Sequence, residues 1–493
     1  MLEIFRPFLF LALVSTAHAA TVQPQDNGAT LINPGMGWTM HFYSNVARNY
    51  GSKLAPADTL EDFPGLSTVY LRIPWAYLEP EEGHYNWAIL DTPAQRWIAN
   101  GKRIALRLTC SENWMRYATP KWVVDAGAQG TFYKYGKGPV ENGPSWDPLF
   151  DDPIFLEKLD RFLAAVAKRY DENPNVEFID VGTYGLWGEG HTYASSQQDV
   201  FALKKLHIDL HLKHFKQTQL CISDDFAGPA KPGKHFPITD YALSQGVTIR
   251  DDSILVARPP NSWYHAEMAE VFWPTLPIIL EHEHYGNSTR RKAWNPELLE
   301  ASVEAYHASF MSIHGWPREV LEGNRDAIDR INQRMGYRIM PVAITWPDTI
   351  QSGTQQDRYT EYRDMTAHGD LSQSFKVQWS WTNKGVAPCY PGGYPALTLK
   401  DDQGGIVSVL VDEQFNLRDL KVGPPDDAPI TQLESEFIIG LYAPTTQTGT
   451  YDLYVSVGQR DGTPSIALPL EGHDGQRRYK IGRITIQAEN LKQ

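Results

Sequence analysis

Two stretches of the chain carry carboxylates where they could act on a substrate. The first is Asp180-Val181-Gly182-Thr183-Tyr184-Gly185-Leu186-Trp187-Gly188-Glu189-Gly190-His191. Glu189 sits there in a turn rich in glycine and aromatic residues. Glycines without Cβ atoms let the backbone approach a neighbour closely, a ligand in the functional reading. A carboxylic acid in an apolar niche beside Trp187 has a raised pKa, which a general acid needs to stay protonated near neutrality. The bland alternative is a glutamate that caps a loop. The second stretch is the apolar run Pro277-Ile278-Ile279-Leu280, which ends in Glu281-His282-Glu283-His284. An unpaired charge at the end of a buried strand is expensive, so it calls for a reason. Glu281 and Glu283 share a face if the strand runs through both. Glu281, directly at the strand end, is favoured as a nucleophile, with Glu283 as its neighbour. Glu189 as acid/base and Glu281 as nucleophile could flank one glycosidic bond. A gap of about 5–5.5 Å would mean retention, a wider one inversion.

Other polar and aromatic residues gather near the same strand ends. Arg72, Arg107, Asp224, Asp225, Arg250, Asp251 and Asp252 fit supporting roles, since an arginine beside a nucleophilic carboxylate keeps it ionised. Arginine–carboxylate pairs are also common scaffold devices, so part of this set is structural. Trp38, His41, Trp75, Trp114, Trp187, Trp263 and Trp316 could stack on or contact sugar rings, within a chain that holds 15 Trp. His191 and His282 could bond hydroxyls, and Glu283 lies beside them. A metal reading of Glu281–His284 fails on geometry. Alternating Glu and His give at most two ligands per strand face, and the H-E-x-x-H pattern is absent. No metal or cofactor is expected.

These residues need elements to hold them. Eight β-rich runs alternate with longer amphipathic stretches: Gly35–Thr39, Thr68–Ile73, Arg103–Thr109, Glu177–Thr183, Gln219–Ser223, Val247–Arg250, Pro277–Glu281 and Ala308–Ile313. Helices are expected over Pro153–Tyr170, Gln198–Lys213 and Glu297–His307. In the first, Phe155, Leu159, Phe162 and Val166 recur on one face, and Asp152-Pro153 is a start signal. Strands alternating with helical crossovers predict an α/β (β/α)8 TIM barrel, whose site forms at the C-terminal strand ends. A doubly wound sheet would show a Gly-rich phosphate turn after its first strand, and none is present.

Beyond the barrel the composition changes. A polar linker is expected over 346–370. From 371 to 493, short alternating runs separated by turns such as Asn383-Lys384-Gly385 and Pro391-Gly392-Gly393 predict an antiparallel β-sandwich. Residues 1–20 read as a signal peptide, with Arg6, an apolar run Phe8–Val14 and Ala17-His18-Ala19 as the cleavage signal. The run is too short to span a bilayer, so no membrane anchor is expected. The mature chain begins near Ala20 or Thr21, exported to the periplasm or beyond, and the barrel fills 21–345. The net charge is −14, which argues against nucleic acid as a partner. Three cysteines, Cys110, Cys221 and Cys389, leave at least one thiol unpaired, and buried free thiols are the simpler reading.

The run Thr68-Val69-Tyr70-Leu71-Arg72-Ile73-Pro74-Trp75, followed by Leu78-Glu79-Pro80-Glu81-Glu82-Gly83-His84-Tyr85-Asn86-Trp87, resembles the strand-two signature of β-galactosidase-type clan A glycoside hydrolases. Thr119-Pro120-Lys121-Trp122 and Pro144-Ser145-Trp146-Asp147-Pro148 are similar to that group as well. The resemblance implies a secreted glycosidase acting on a carbohydrate substrate. Its acid/base usually follows Asn, whereas Gly188 precedes Glu189 here. The tail, with Trp381-Thr382-Asn383-Lys384-Gly385-Val386-Ala387-Pro388 and Tyr479-Lys480-Ile481-Gly482, resembles the C-terminal part of an uncharacterised family, domain of unknown function 4832. Two other readings stay open: a barrel that binds glycans without cleaving them, and a polysaccharide lyase using Arg72, Arg107 and Arg250 to neutralise a uronate.

Overall fold

A computed structural model of the chain describes residues 19–42, 52–55, 57–135, 141–193, 200–228, 233–256, 264–352, 374–439 and 448–488. Eight parallel strands close into a barrel: β1 (Gly37–His41), β2 (Leu66–Pro74), β3 (Arg103–Thr109), β4 (Val176–Asp180), β5 (Gln219–Ser223), β6 (Thr248–Ile254), β7 (Ile278–His282) and β8 (Ala308–Ile313). Each pairs with its neighbours in chain order, and β8 pairs with β1. All eight expected strands are present, with β3, β5 and β8 at the expected bounds.

Side chains alternate along these strands, so every second residue enters the barrel. Tyr70, Ala105, Phe178, Cys221, Ile279 and Phe310 form a separate small apolar cluster, the barrel floor. Two residues further along lie Arg72, Arg107, Asp180, Ser223, Glu281 and Ser312. Strand register sets Arg72 opposite Arg107, and Arg107 opposite Asp180. A charged layer therefore rests on an apolar one, toward the C-terminal strand ends.

The outer faces pack under helices. Pro153–Tyr170 buries Phe155, Leu159, Phe162, Leu163 and Val166, and the Asp152 carboxylate accepts a bond from Phe155 N at 2.9 Å. This is the N-cap that the Asp-Pro pair implies. Phe201–His214 and Pro296–Tyr306 match the other two expected helices to within a few residues. Pro317–Arg334 follows β8 and was not foreseen. Its hydropathy stripe is sparse, yet Val320, Leu321, Ile328 and Ile331 are buried. No described helix is long and apolar enough to cross a membrane.

The seam differs from expectation. Ile339–Pro347, assigned above to the barrel end and the linker, pairs antiparallel with Ser374–Asn383. Thr349–Ser352 is likewise a strand, so residues 346–352 are not linker, while 353–370 lie outside the described residues. Polar composition misled here because Thr349–Ser352 is short and mostly polar and leads into a polar stretch. The second part of the fold therefore begins near Ile339. It also takes in Ala19–Val22, paired with Ile344–Pro347, so the first described residues join this sheet and not the barrel. Residues 1–18 of the expected signal peptide lie outside the described residues.

One sheet runs Ala19–Val22, Ile339–Pro347, Ser374–Asn383, Ile430–Ile438; the other runs Thr349–Ser352, Tyr479–Ala488, Gly449–Gly458, Tyr394–Lys400, Ile406–Val411. Pairing is antiparallel except between Thr349–Ser352 and Tyr479–Ala488, which are parallel. Ile344, Trp379 and Trp381 of the first sheet and Leu397, Val455 and Ile484 of the second belong to one buried core. Tyr390, Pro391 and Arg418 line a cavity of about 500 Å³ with Glu177, Phe178, Ile279 and Phe310. The C-terminal sheets thus cover the floor end of the barrel, away from the charged layer. Cys110, Cys221 and Cys389 are all free and buried, so their thiols serve packing.

Candidate active site

The charged layer is organised by two buried arginines. Arg107 Nε donates to Asp180 Oδ2 at 3.1 Å, its Nη1 donates to Glu189 Oε1 at 3.0 Å, and its Nη2 lies 3.8 Å from Glu281 Oε2. Arg250 Nε donates to the same Asp180 oxygen at 2.8 Å, and its Nη1 donates to Glu281 Oε2 at 2.6 Å and Asp252 Oδ2 at 3.0 Å. Tyr70 OH completes the Asp180 cluster at 2.6 Å. Asp180 is the hinge of this lattice: it orients both guanidinium planes, which in turn hold Glu189 and Glu281 on facing nitrogens of Arg107.

Glu281 also meets two imidazoles. His41 Nδ1 lies 3.4 Å and His314 Nδ1 3.3 Å from its Oε1. Burial alone would raise the Glu281 pKa, but His41, Arg107 and His314 outweigh it and hold the carboxyl well below its ordinary range. Glu189 moves the other way. Burial and the nearby charge of Asp252 raise its pKa, against the opposing pull of His191 and Arg107. One carboxyl is biased to stay ionised and the other to keep its proton, the division of labour that acid/base chemistry at a single bond requires.

The turn that carries Glu189 is tight for an internal reason. Gly188 has φ 76°, and a Cβ there would sit 2.5 Å from the Gly182 carbonyl oxygen; one on Gly190 would sit 2.0 Å from the Phe226 ring. The glycines admit the protein's own backbone and core, not a ligand. Trp187 adopts φ 58° and donates its Nε1 to Asn113 Oδ1 at 3.1 Å. That pose sets its ring at the cavity wall, against Tyr135 with ring centres 5.4 Å apart.

The cavity at the C-terminal end measures about 930 Å³. Arg72, Trp187, Glu189, His191, Asp225, Glu281, His282 and Glu283 line it, among the residues singled out from the sequence. His41, Arg107 and Arg250 lie directly behind that wall through their contacts with Glu281. Four of the tryptophans expected to contact sugar do not line it either. Trp38 points out of the barrel, 1% exposed, and donates to Asn332 Oδ1 at 2.9 Å. Trp75 is fully buried, donates to Glu79 Oε2 at 2.7 Å and stacks on Phe162 with ring centres 5.0 Å apart. Trp114 is half-buried and caps Glu112 Oε2 at 2.9 Å. Trp316 opens a helix, with the Lys53 ammonium 3.1 Å over its ring. Trp263 lies outside the described residues.

The premise that Glu281 and Glu283 share a strand also fails: β7 ends at His282. Glu283 instead accepts from Ser288 Oγ at 2.8 Å and pairs with Arg291. Arg72 is bidentate to Glu112, at 3.0 and 2.5 Å. Asp252, expected in a supporting role, lines the cavity too. The sequence reading missed Asp180, His314 and Glu112 as parts of the site, together with Tyr135 and Tyr193 at the rim. Strand alternation would have found Asp180, two residues after Phe178. Glu112, Tyr135 and Tyr193 come from loops, where no periodicity marks them.

Two predictions arise here. Trp75→Ala is expected to lower stability by about 3–5 kcal/mol, the cost of emptying a large buried aromatic site. Urea unfolding reads this, and a loss under 1 kcal/mol would contradict the scaffold role. The second concerns pH. Burial pushes Asp180, Asp251 and Asp252 up to about 6. The folded chain then holds protons that the unfolded chain releases near 3.8. Stability contributed by these groups is present below that value and falls as pH rises toward 6. Glu281, with its lowered pKa, acts oppositely and loses its contribution as pH falls below 4.5. Stability is therefore expected to peak near pH 4–5, roughly between the ordinary carboxylate range and pH 6. Thermal midpoints that climb steadily from pH 5 to 7.5 would contradict this.

The family model described as beta-galactosidase matches residues 63–202. That span holds β2, β3, β4 and the Glu189 turn, and it marks the barrel as that of a glycosidase. Similar solved structures include endo-glycoceramidase II from Rhodococcus sp., at 15% identity and TM-score 0.37, covering 85% of this chain and 99% of that one. Xylanase B from Clostridium stercorarium F9 matches at 15% identity and TM-score 0.35, covering 57% and 86%. The β-amylase catalytic domain from Paenibacillus polymyxa matches at 10% identity and TM-score 0.39, covering 62% and 94%. At these scores the likenesses add nothing to the barrel topology read from the strand pairing. No curated protein matches the chain.

Proposed function

We propose that this chain is an exported, retaining glycosidase that cleaves O-glycosidic bonds in oligo- or polysaccharides. Glu189 is the acid/base and Glu281 the nucleophile. One observation carries the reading: the two carboxylates flank Arg107, Glu189 bonded to Nη1 at 3.0 Å and Glu281 3.8 Å from Nη2, with pKa values pushed in opposite directions. In the first step the protonated Glu189 gives its proton to the leaving oxygen while the ionised Glu281 attacks the anomeric carbon. In the second, Glu189 takes a proton from water, which displaces Glu281 from the sugar. Arg250 and Arg107 hold Glu281 ionised and aimed. His41 and His314 lie beside its other oxygen and limit its rotation. Trp187, Tyr135 and Tyr193 supply ring faces for the sugar chain.

The lyase alternative loses its footing on charge. Arg72 is bound to Glu112, and Arg107 and Arg250 are both bound to Asp180 and to the site carboxylates. None is left to neutralise a uronate. The C-terminal sheets form a sandwich in this proposal and act as scaffold, since they meet the barrel at its floor. Ala17-His18-Ala19 remains the expected cleavage signal for export.

The test is hydrolysis of a panel of aryl glycosides and oligosaccharides by the purified mature protein. Cleavage of one member names the sugar. A glycan that binds and is never cleaved would replace this reading with that of a binding barrel.

A further inference from the structure

The aromatic rings of the cavity gather on one side of it. Tyr135, Trp187, His191 and Tyr193 all line the cavity. The Trp187 ring lies edge-on to Tyr135 with centres 5.4 Å apart, and 5.9 Å from His191. His191 stacks on Tyr193 at 4.3 Å, and Tyr193 meets Tyr135 at 5.6 Å. The four rings thus form one connected wall beside Glu189, whose Oε2 is 3.8 Å from His191 Nε2. Asp225 shares that nitrogen at 3.7 Å, so the imidazole turns an edge to the two carboxylates and a face to Tyr193. The Glu281 side is different. There His282 ends β7, His314 follows β8, and Glu283, His284 and Asn287 complete the wall. β4, which leads into the Glu189 turn, and β8 lie across the ring of strands from each other.

The chemistry allots a part of the substrate to each side. Glu281 attacks the anomeric carbon from the face opposite the leaving oxygen, and Glu189 must reach that oxygen to protonate it. The leaving group therefore lies against the aromatic wall, and the transferred sugar lies on the Glu281 side. Two of the wall's polar hydrogens are spent inside the protein. Trp187 Nε1 donates to Asn113 Oδ1 at 3.1 Å, and the Tyr193 hydroxyl donates to the Tyr135 oxygen at 2.9 Å. The wall mainly offers ring faces and edges, which attract the C–H face of a sugar or an aryl ring whatever the direction of its hydroxyls. Imidazoles, a carboxylate and an amide on the other side can bond hydroxyls at fixed positions, and a site built that way rejects a sugar whose hydroxyl is misplaced.

Resting on the glycosidase reading, we propose that the specificity is asymmetric. Tyr135, Trp187 and Tyr193 build the leaving-group subsite, which takes a leaving group by its ring face and not by its hydroxyl pattern, while the transferred sugar is read closely on the Glu281 side. The ring face can come from a second sugar or from an aryl group.

The experiment holds the transferred sugar fixed and varies what leaves. It uses two disaccharides whose leaving sugars differ in the configuration of one hydroxyl outside the linkage, a phenyl glycoside, and a methyl glycoside, which has no leaving ring. Wild-type kcat/KM should agree within about threefold for the two disaccharides, whereas inverting one hydroxyl of the transferred sugar should cost at least about 100-fold. Tyr193→Ala and Tyr135→Ala should each lower kcat/KM on the disaccharides and the phenyl glycoside by about tenfold more than on the methyl glycoside, as loss of a stacking partner allows. A merely structural fault slows all four alike. If neither variant folds, the wild-type comparison of epimers decides alone. Equal losses on ring-bearing and methyl substrates, a loss confined to the disaccharides or to the phenyl glycoside, or strong discrimination between the two leaving sugars overturns the proposal and leaves the glycosidase reading intact. Cleavage of none of the substrates overturns both.

Discussion

Replacing Glu281 with Gln is expected to lower kcat by at least about 10³-fold on every substrate that the wild type cleaves, because a covalent route without its nucleophile has no easy substitute. The geometry makes this the largest single effect. Glu281 receives Arg250 Nη1 at 2.6 Å and lies near Arg107, His41 and His314, a setting built around one negative charge. The amide is similar in size but neutral, so it neither attacks nor balances the two guanidinium groups. Circular dichroism should show the variant folded, since Arg107 and Arg250 keep Asp180 as a partner. A smaller variant, Glu281→Ala, opens space at the anomeric carbon, and added azide should then restore turnover and give a glycosyl azide. Activity of Glu281→Gln within tenfold of wild type would remove this residue from the chemistry.

Glu189→Gln is expected to show a loss that depends on the leaving group. Substrates with a poor leaving group need a proton at the glycosidic oxygen and should slow by about 10²–10⁴-fold. Dinitrophenyl glycosides leave without help and should show a much smaller deficit in the first step. The pH profile gives a second signature. Glu189 must be protonated to act, and burial together with Asp252 raises its pKa. Wild-type kcat/KM should therefore fall as pH rises through that raised value, and the limb should vanish in Glu189→Gln. Glu281 must be ionised, and its lowered pKa places its own limb at acid pH. A falling alkaline limb that survives in Glu189→Gln would assign the proton to another group, with His191 and Asp225 the nearest candidates.

The barrel was legible because its signals are local. Strand-helix alternation and the apolar run before Glu281 located every barrel strand, and Asp152-Pro153 fixed the start of one helix. Glu281 stood out because it ends an apolar run that cannot tolerate an idle charge, and Glu189 because it sits in a glycine- and aromatic-rich turn beyond β4. The rest depended on distance in space. Trp38 faces out of the barrel, and only the pleat phase of β1 separates it from His41; Trp75 opens the short helix that follows β2 and packs on Phe162. Asp180 looked like the tail of a strand until its register opposite Arg107 made it the shared partner of two arginines. Glu112, Tyr135 and Tyr193 reach the site from loops whose course no periodicity fixes. The seam was misplaced because short, mostly polar strands such as Thr349–Ser352 resemble linker in composition.

The two-carboxylate account can be checked by trapping the intermediate. A 2-deoxy-2-fluoro glycoside with a good leaving group, made from the sugar that the panel shows to be cleaved, slows the second step more than it slows the first. Incubation followed by proteolysis and peptide mass analysis should find one sugar bound to the peptide carrying Glu281, with no label in Glu281→Gln. A label on Glu283 or Asp252, or hydrolysis with inversion and no labelled peptide, would contradict it.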